Sequence, residues 1–348
     1  MLSNSSGAAA RQAAPAIVIL GGSGFIGSRL TDILSDAQRA IRIGDICPSV
    51  AFPHLWTECD VRRRESLISL FKDARTVINL AAEHRDDVFP LSRYEDVNVR
   101  GAENVCAAAA SAGIGRIVFT SSAAVYGFQP RHVDESGPFA PFNAYGKTKW
   151  RAEAIYRAWA AEDPSRTLVI VRPTVVFGEG NRGNVYNLLQ QIASGRFVMV
   201  GSGSNSKSMA YVGNIAAFLV HCLSLQNGVH IFNYVDGPDM TTRELVDHVR
   251  RCLGREGKLP VLPKRLALAG GHVLDVIARL SGRKFPISAI RIRKFCENTQ
   301  FIAQNALLSG FTPPFTLAEG LARTIAAEFV PLPARGERKP GIDRSFSS

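Results

Sequence analysis

Three residues that can move a proton between them fall in one stretch of the chain: Ser122 in TSSAAVYG, then Tyr145 and Lys149 in YGKTK. Tyr145 and Lys149 are four residues apart, so in a helix they share a face. A free phenol titrates near ~10. A cation one helical turn away favours the phenolate, and a phenol tuned in this way can serve as a base near neutrality. Ser122, at the end of an apolar run, adds a hydroxyl that can hold the reacting oxygen. The set is a proton-transfer site for a sugar or alcohol hydroxyl. A Tyr-x-x-x-Lys spacing also arises by chance, and serine is a common strand-end turn residue, so the elements around the three must decide.

Those elements begin at Ala16 with AIVIL, a short apolar run of the kind a strand buried on both faces shows. GGSGFIGSRLTDIL follows at once, with Gly21, Gly24 and Gly27 opening an amphipathic helix that also carries Phe25 and Ile26. Strand, glycines and helix in that order let the backbone approach a pyrophosphate at the helix N-terminus. The next strand, AIRIGD, ends in Asp45, 18 positions beyond Gly27. A carboxylate there hydrogen-bonds the adenosine ribose and repels a 2′-phosphate, which favours NAD over NADP. Asp60 and Val61 stand where an adenine edge can be read, and a helix is predicted from near Glu65. TVINLAA reads as a strand, RYEDVNVRGAENVCAAAASAG as a helix ending at Gly113, RIVFTSS as the strand that delivers Ser122, and TLVIVRPTVVFG as one further buried strand. This alternation predicts an α/β fold with a parallel sheet. Its crevice lies at the carboxyl ends of the strands, where Gly21, Asp45, Ala81, Ala82 and Ser122 all fall.

Composition narrows the class. Of 348 residues, 46% are hydrophobic, enough for a full core. Residues 1–14 read as a flexible leader and 331–348 as a loose, Pro-rich tail. Six cysteines show no C-x-x-C pair and no metal spacing, so neither a metal site nor a disulfide framework is indicated, and reduced thiols of a cytoplasmic protein are expected. No apolar run reaches the ~20 residues of a membrane span. The net charge of +11 is regional: nine basic against two acidic residues between Lys258 and Gln300 carry +7 of it. Apolar sequence is interleaved with it, which suits an anionic membrane surface better than nucleic acid. A solvated basic face on a helical subdomain accounts for the same charges.

GGSGFIG, Asp45, Asp60 and Val61, NLAA at 79–82, VNVRG around Asn98, TSSAAVYG, YGKTK and RPTVVFG together resemble the extended short-chain dehydrogenase/reductase superfamily, in its nucleotide-sugar epimerase and dehydratase branch. The resemblance spans Ile17 to Tyr234 and implies a Rossmann-type doubly wound sheet with a smaller, mostly helical C-terminal substrate lobe. It implies a dinucleotide domain over 15–177, a strand near 229–238 returning to that sheet, and a lobe formed by 178–228 and 239–330. By resemblance Tyr145 is the base, Ser122 binds the reacting oxygen, and Lys149 holds the nicotinamide ribose and tunes Tyr145. Asn98 supports the site and Pro173 meets the nicotinamide. Related enzymes pair as homodimers through helices that include the one starting at Tyr145.

A narrower resemblance rests on LAAEHRDDV, on the long run from Phe177 to Ile215, and on FPISAIRIRKFC. These are similar to bacterial 4-epimerases acting on N-acetylglucosamine linked through diphosphate to undecaprenol, which serve surface polysaccharide (O-antigen type) biosynthesis. His84 departs from soluble galactose epimerases, which carry a lysine at about that position. The implied reaction is C4 inversion through a transient 4-keto sugar with NAD retained. Asn181, Arg182, Asn184 and Lys207 are the candidate diphosphate contacts. The same anion grip serves a nucleotide-linked sugar, so a soluble UDP-sugar 4-epimerase or a 4-ketoreductase stays open as an alternative. A non-catalytic or RNA-binding protein fits less well, given the intact triad and the lack of aromatics interleaved with arginines. The implied location is the cytoplasm, at the inner face of the cell membrane.

Overall fold

Buried apolar runs build the centre of the molecule, a computed structural model that describes residues 16–85, 88–127, 132–281 and 288–330. The leader and tail expected at 1–14 and 331–348 lie outside the described residues. Strand and helix alternate as the pattern requires: β1 (Ala16–Leu20), α1 (Phe25–Asp36), β2 (Ile41–Asp45), β3 (Trp56–Glu58), α2 (Arg64–Phe71) and β4 (Ala74–Asn79). A continuous helical run follows, made of α3 (Ser92–Tyr94), a π-helical stretch (Glu95–Arg100) and α4 (Gly101–Ala112). Then come β5 (Arg116–Thr120), α5 (Ala144–Ala161) and β6 (Thr167–Pro173).

The second part of the chain contributes β7 (Val175–Phe177), α6 (Asn184–Ala193), β8 (Met199–Val200), β9 (Met209–Tyr211), α7 (Val212–His221) and β10 (Gly228–Tyr234). It ends in α8 (Thr242–Cys252), β11 (Val261–Leu262), α9 (Lys264–Ser281), α10 (Ala289–Phe295), α11 (Gln304–Leu308) and α12 (Leu317–Glu328). The seven-stranded sheet runs β10-β6-β5-β4-β1-β2-β3, with every neighbouring pair parallel. Strand order reverses between β1 and β4, which opens a crevice at their carboxyl ends.

Alternation along β1 divides the core. Ile17 and Ile19 face the layer holding Leu30 and Leu34 of α1, while Val18 and Leu20 face α2, α4 and α5 through Leu67, Val105 and Tyr156. Beyond residue 177, α7 packs on α1 before β10 joins the sheet beside β6. One reading of the sequence is corrected, and one strand went unread. TLVIVRPTVVFG is two strands, because Pro173 offers no N–H; Thr174 makes the last bond to Tyr234, and β7 leaves the sheet to pair with β9. The edge strand β3 has only three residues, too few to leave a periodic signal.

Arg172 sits near the carboxyl end of β6, one strand in from the β10 edge, with no exposed surface. Its guanidinium donates to Glu153 Oε1 and Oε2 at 2.8 and 2.6 Å, and to the Tyr126 hydroxyl at 2.6 Å. Glu153 also accepts from Ser121 Oγ at 2.6 Å. Burial pushes the Tyr126 phenol up to about 12, so it stays protonated and donates to Asn233 Oδ1 at 2.7 Å. Asn233 Nδ2 in turn donates to the Val133 and Ile302 carbonyls, which ties β10 to the segment preceding α5 and to the lobe. Removing one partner of such a pair leaves a buried charge uncompensated. Arg172→Met should therefore lower the unfolding free energy by about 3–5 kcal/mol, and Glu153→Leu with Arg172→Met should recover part of that loss. Urea unfolding checks this; a double variant no more stable than the single one would contradict it.

Candidate active site

The site is assembled where two glycine-dependent close approaches meet. Ser122 leaves β5 and caps the short 3-10 turn Ala123–Tyr126, its Oγ accepting from Ala124 N at 3.1 Å. Asn143 caps α5 through Gly146 N at 2.9 Å, which sets the entry angle of Tyr145. A Cβ on Gly146 would lie 2.5 Å from the Ala124 carbonyl oxygen. Only glycine there lets the start of α5 lie against the Ser122 turn, which brings Tyr145 close enough to Ser122 for that side chain to favour the phenolate. Burial raises the phenol above its ordinary range and the neighbouring Ser122 side chain opposes that rise.

Lys149, one turn on, is 2% exposed. Its ammonium donates to the Thr120 carbonyl at 2.8 Å and lies 4.7 Å from the centre of the Phe119 ring. Burial pushes it down to about 7, and Glu153 works against that shift. The ammonium is thus drawn to the end of β5.

The residues expected to hold NAD fit it. Gly21 has φ +73, and a Cβ on it would meet Ala81 N at 2.7 Å; a Cβ on Gly27 would meet Gly21 O at 2.6 Å. Gly24 begins α1 without a side-chain cap, so the first turn, with Phe25 and Ile26, offers its N–H groups to an anion. The buried Ser23 Oγ has no hydrogen-bond partner among the described residues. Asp45 accepts from Ser23 N at 3.1 Å and Cys47 N at 3.0 Å, which fixes its carboxylate beside that turn. Asp60 is already held by Arg62, with Nε 2.9 Å from Oδ1 and Nη2 2.6 Å from Oδ2, and the Arg62 guanidinium keeps its carboxyl below the usual range. Val61 packs on Gly101 and accepts from Asn104 through its carbonyl.

Past β4, Asn79 Oδ1 accepts from Ala81 N, holding Ala81 and Ala82 against the glycine turn. Asn98, in the π-helical stretch, bonds Glu83 N and O and donates to Thr148 Oγ1 at 3.0 Å, so it joins this loop to the turn between Tyr145 and Lys149. A π turn at such a position is a common functional device. His84 is exposed. Pro173 is buried at the end of β6.

The candidate diphosphate contacts are mostly engaged. Arg182 pairs with Glu328 at 2.9 Å and lies over Tyr186, while Asn181 bonds Val176 O and Gly183 N. Lys207 donates to the Lys294 and Glu297 carbonyls at 3.0 and 3.2 Å, and burial lowers its pKa. Asn184 is exposed at the start of α6. The Lys207 segment is zipped to Thr299, and Phe301 bridges to Val133, so one extended run joins the lobe to the stretch between Ser122 and Tyr145.

Sequence reasoning passed over Arg172, Glu153 and Tyr126. A signal was present: an arginine inside LVIVRP can be buried only with a carboxylate, and Glu153 lies four residues past Lys149 on the same helical face.

Residues 17–234 match the family described as NAD dependent epimerase/dehydratase. The chain is 46% identical over 316 residues to N-acetyl-alpha-D-glucosaminyl-diphospho-ditrans,octacis-undecaprenol 4-epimerase of Escherichia coli O157:H7, covering 90% of this chain and 95% of that one. It is 27% identical to UDP-glucose 4-epimerase of Vibrio cholerae, over 91% of this chain and 96% of the relative. Among solved structures, MoeE5 in complex with UDP-glucose and NAD superposes with a TM-score of 0.70 at 23% identity, over 89% of this chain and 97% of that one, a likeness of fold.

The buried lysine has a measurable consequence. Its folded pKa of about 7 lies below the ~10.4 of a free lysine. Between those values the unfolded chain holds more protons, so this residue's cost falls and stability rises as pH increases. In cofactor-free protein, Lys149→Met should gain stability at pH 7 by an amount on the order of 4 kcal/mol that shrinks towards pH 10. Chemical unfolding across that range checks it; a gap independent of pH would contradict the burial of a titrating ammonium.

Proposed function

The chain is a member of the NAD dependent epimerase/dehydratase family, and from that premise we propose that it inverts C4 of N-acetylglucosamine to give N-acetylgalactosamine on an undecaprenyl-diphosphate carrier. The observation that carries the chemistry is the seating of the α5 N-terminus on the turn that follows β5, through the Gly146–Ala124 approach, which brings Tyr145 and Ser122 together. The observation that favours this substrate is the 46% identity to the Escherichia coli enzyme over nearly the whole of both chains.

In this reading Tyr145 takes the proton of the 4-hydroxyl while Ser122 holds that oxygen. NAD, when bound, supplies the acceptor and then the donor of hydride at C4. The 4-keto sugar turns its other face to the site and Tyr145 returns the proton, so no net oxidation occurs and the cofactor is not consumed. Gly21, Gly24, Phe25, Ile26 and Gly27 would hold its pyrophosphate, Asp45 a ribose, and Asp60 and Val61 the adenine. Ala81, Ala82, Asn98 and Pro173 would flank the nicotinamide half, with Lys149 on its ribose. A lysine drawn from the Thr120 carbonyl to that ribose would then tune Tyr145.

Asn181, Arg182, Asn184 and Lys207 remain the proposed grip on the diphosphate. Arg182 and Lys207 would reach it by releasing Glu328 and the Lys294 and Glu297 carbonyls. No helix among the described residues is long and apolar enough to cross a membrane. The enzyme would meet its carrier peripherally, at the cytoplasmic face of the cell membrane, as part of surface polysaccharide assembly. Two copies would pair through α5.

The test is a side-by-side assay, with no cofactor added, on undecaprenyl-diphosphate-linked N-acetylglucosamine and on its UDP counterpart, followed by release and identification of the sugar. Conversion of the lipid-linked sugar alone is expected. Conversion of the UDP sugar alone would replace the carrier, and conversion of neither would favour a 4-ketoreductase. Tyr145→Phe should lower the rate by about 10²–10⁴-fold with bound NAD unchanged; full activity in that variant would remove the proposed base.

A further inference from the structure

The lobe carries an apolar face that packing among the described residues does not use. Helix α9 has two sides. On one, Ala267 is buried, a Cβ on Gly271 would lie 2.8 Å from Ala289 N, and Asp275 Oδ2 accepts from Ala289 N at 3.1 Å. This side packs on the start of α10.

About a third of the way round the helix, Leu266, Val273, Ile277 and Leu280 fall seven, four and three residues apart and so form one stripe. They are 61%, 58%, 43% and 84% exposed, and Ile290 on α10 is 62% exposed. From Leu266 to Leu280 the stripe is roughly 21 Å long. Isolated exposed leucines need no explanation, but an aligned run of this length does.

The charges at its margins select a partner. Lys264 and Arg265 stand exposed where the stripe begins, and Arg293 is exposed on α10. The single acidic residue of α9, Asp275, is turned inward onto the α10 N-terminus, so no carboxylate of α9 lies in the stripe. An apolar stripe with cationic margins fits the interface of an anionic bilayer. It fits a second copy of itself poorly, since two such faces would bring like charges together in a chain of net charge +11.

We infer that the Leu266–Leu280 stripe of α9, flanked by Lys264, Arg265 and Arg293, is the surface by which this protein docks on anionic membrane lipid. The inference rests on the reading that the carrier is a bilayer lipid, and it assigns the docking to a face separate from the catalytic residues. Burying the stripe at the headgroup level would hold the lobe against the layer in which the carrier's diphosphate lies.

The experiment uses the full chain and sedimented vesicles, either neutral phosphatidylcholine or phosphatidylcholine with phosphatidylglycerol, at low and physiological salt. Binding to the anionic vesicles, weakened by salt, is expected. Leu266→Ser with Ile277→Ser and Leu280→Ser should weaken it at least about tenfold, and Lys264→Gln with Arg265→Gln and Arg293→Gln should remove most of its salt dependence. Both variants should keep wild-type turnover on a short-chain, water-soluble polyprenyl-diphosphate N-acetylglucosamine while losing turnover on vesicle-embedded substrate. Conversion of embedded substrate by wild-type protein that ignores vesicles would overturn the docking surface. So would a serine variant that dissociates a dimer but binds vesicles normally. Vesicle binding that responds to these variants, together with conversion of UDP sugar only, would keep the surface and remove the lipid-linked reading.

Discussion

The buried ion pair between Arg172 and Glu153 is the constraint on which the rest of the site depends. A guanidinium within a fully buried strand demands a carboxylate, and Glu153 supplies it from the inward face of α5. That requirement fixes the rotation of α5, and with it the positions of Tyr145 and Lys149 two turns and one turn earlier. Ser121 bonds the same carboxylate, so the residue beside Ser122 is anchored to the same point. Tyr126 carries the network on to Asn233, Val133 and Ile302. Base, hydroxyl and substrate lobe are thus referred to one buried charge pair.

The electrostatics of the site follow from how dry this centre is. Lys149 reaches only a carbonyl and an aromatic face, and burial weakens its ammonium, with Glu153 a partial counterweight. Tyr145 is likewise raised, with only Ser122 acting to lower it. Neither group is poised as a free side chain would be. The arrangement keeps both in place, and the charge balance of a bound cofactor and sugar would complete their tuning.

Much of this was legible in the sequence because local rules and tertiary demands coincide there. The glycines at 21, 24 and 27 mark a turn that no side chain fits, and AIVIL is too apolar and too short to be anything but a buried strand. The placement of Tyr145 and Lys149 was legible for a similar reason, since helical spacing puts both on one face of α5. What stayed hidden depends on distant partners. β7 leaves the sheet because Pro173 ends it and Met209–Tyr211 receives it, 34 residues away between Val175 and Met209. Lys207 and Arg182 read as anion contacts from their type, but the Lys294 and Glu297 carbonyls and a carboxylate from α12 engage them in this structure, which residue type cannot reveal. The regional charge was visible as composition, whereas the alignment of Leu266, Val273, Ile277 and Leu280 on the open side of α9 required its packing against α10.

The central claim is that hydrogen leaves C4 and returns to C4 of the same sugar within one site. Its most direct measurement is the fate of deuterium placed at C4 of lipid-linked N-acetylglucosamine, incubated with the protein in ordinary water without added cofactor. The account expects N-acetylgalactosamine that keeps the deuterium at C4. Loss of the label to solvent, or conversion only when reduced cofactor is supplied in stoichiometric amount, would contradict it.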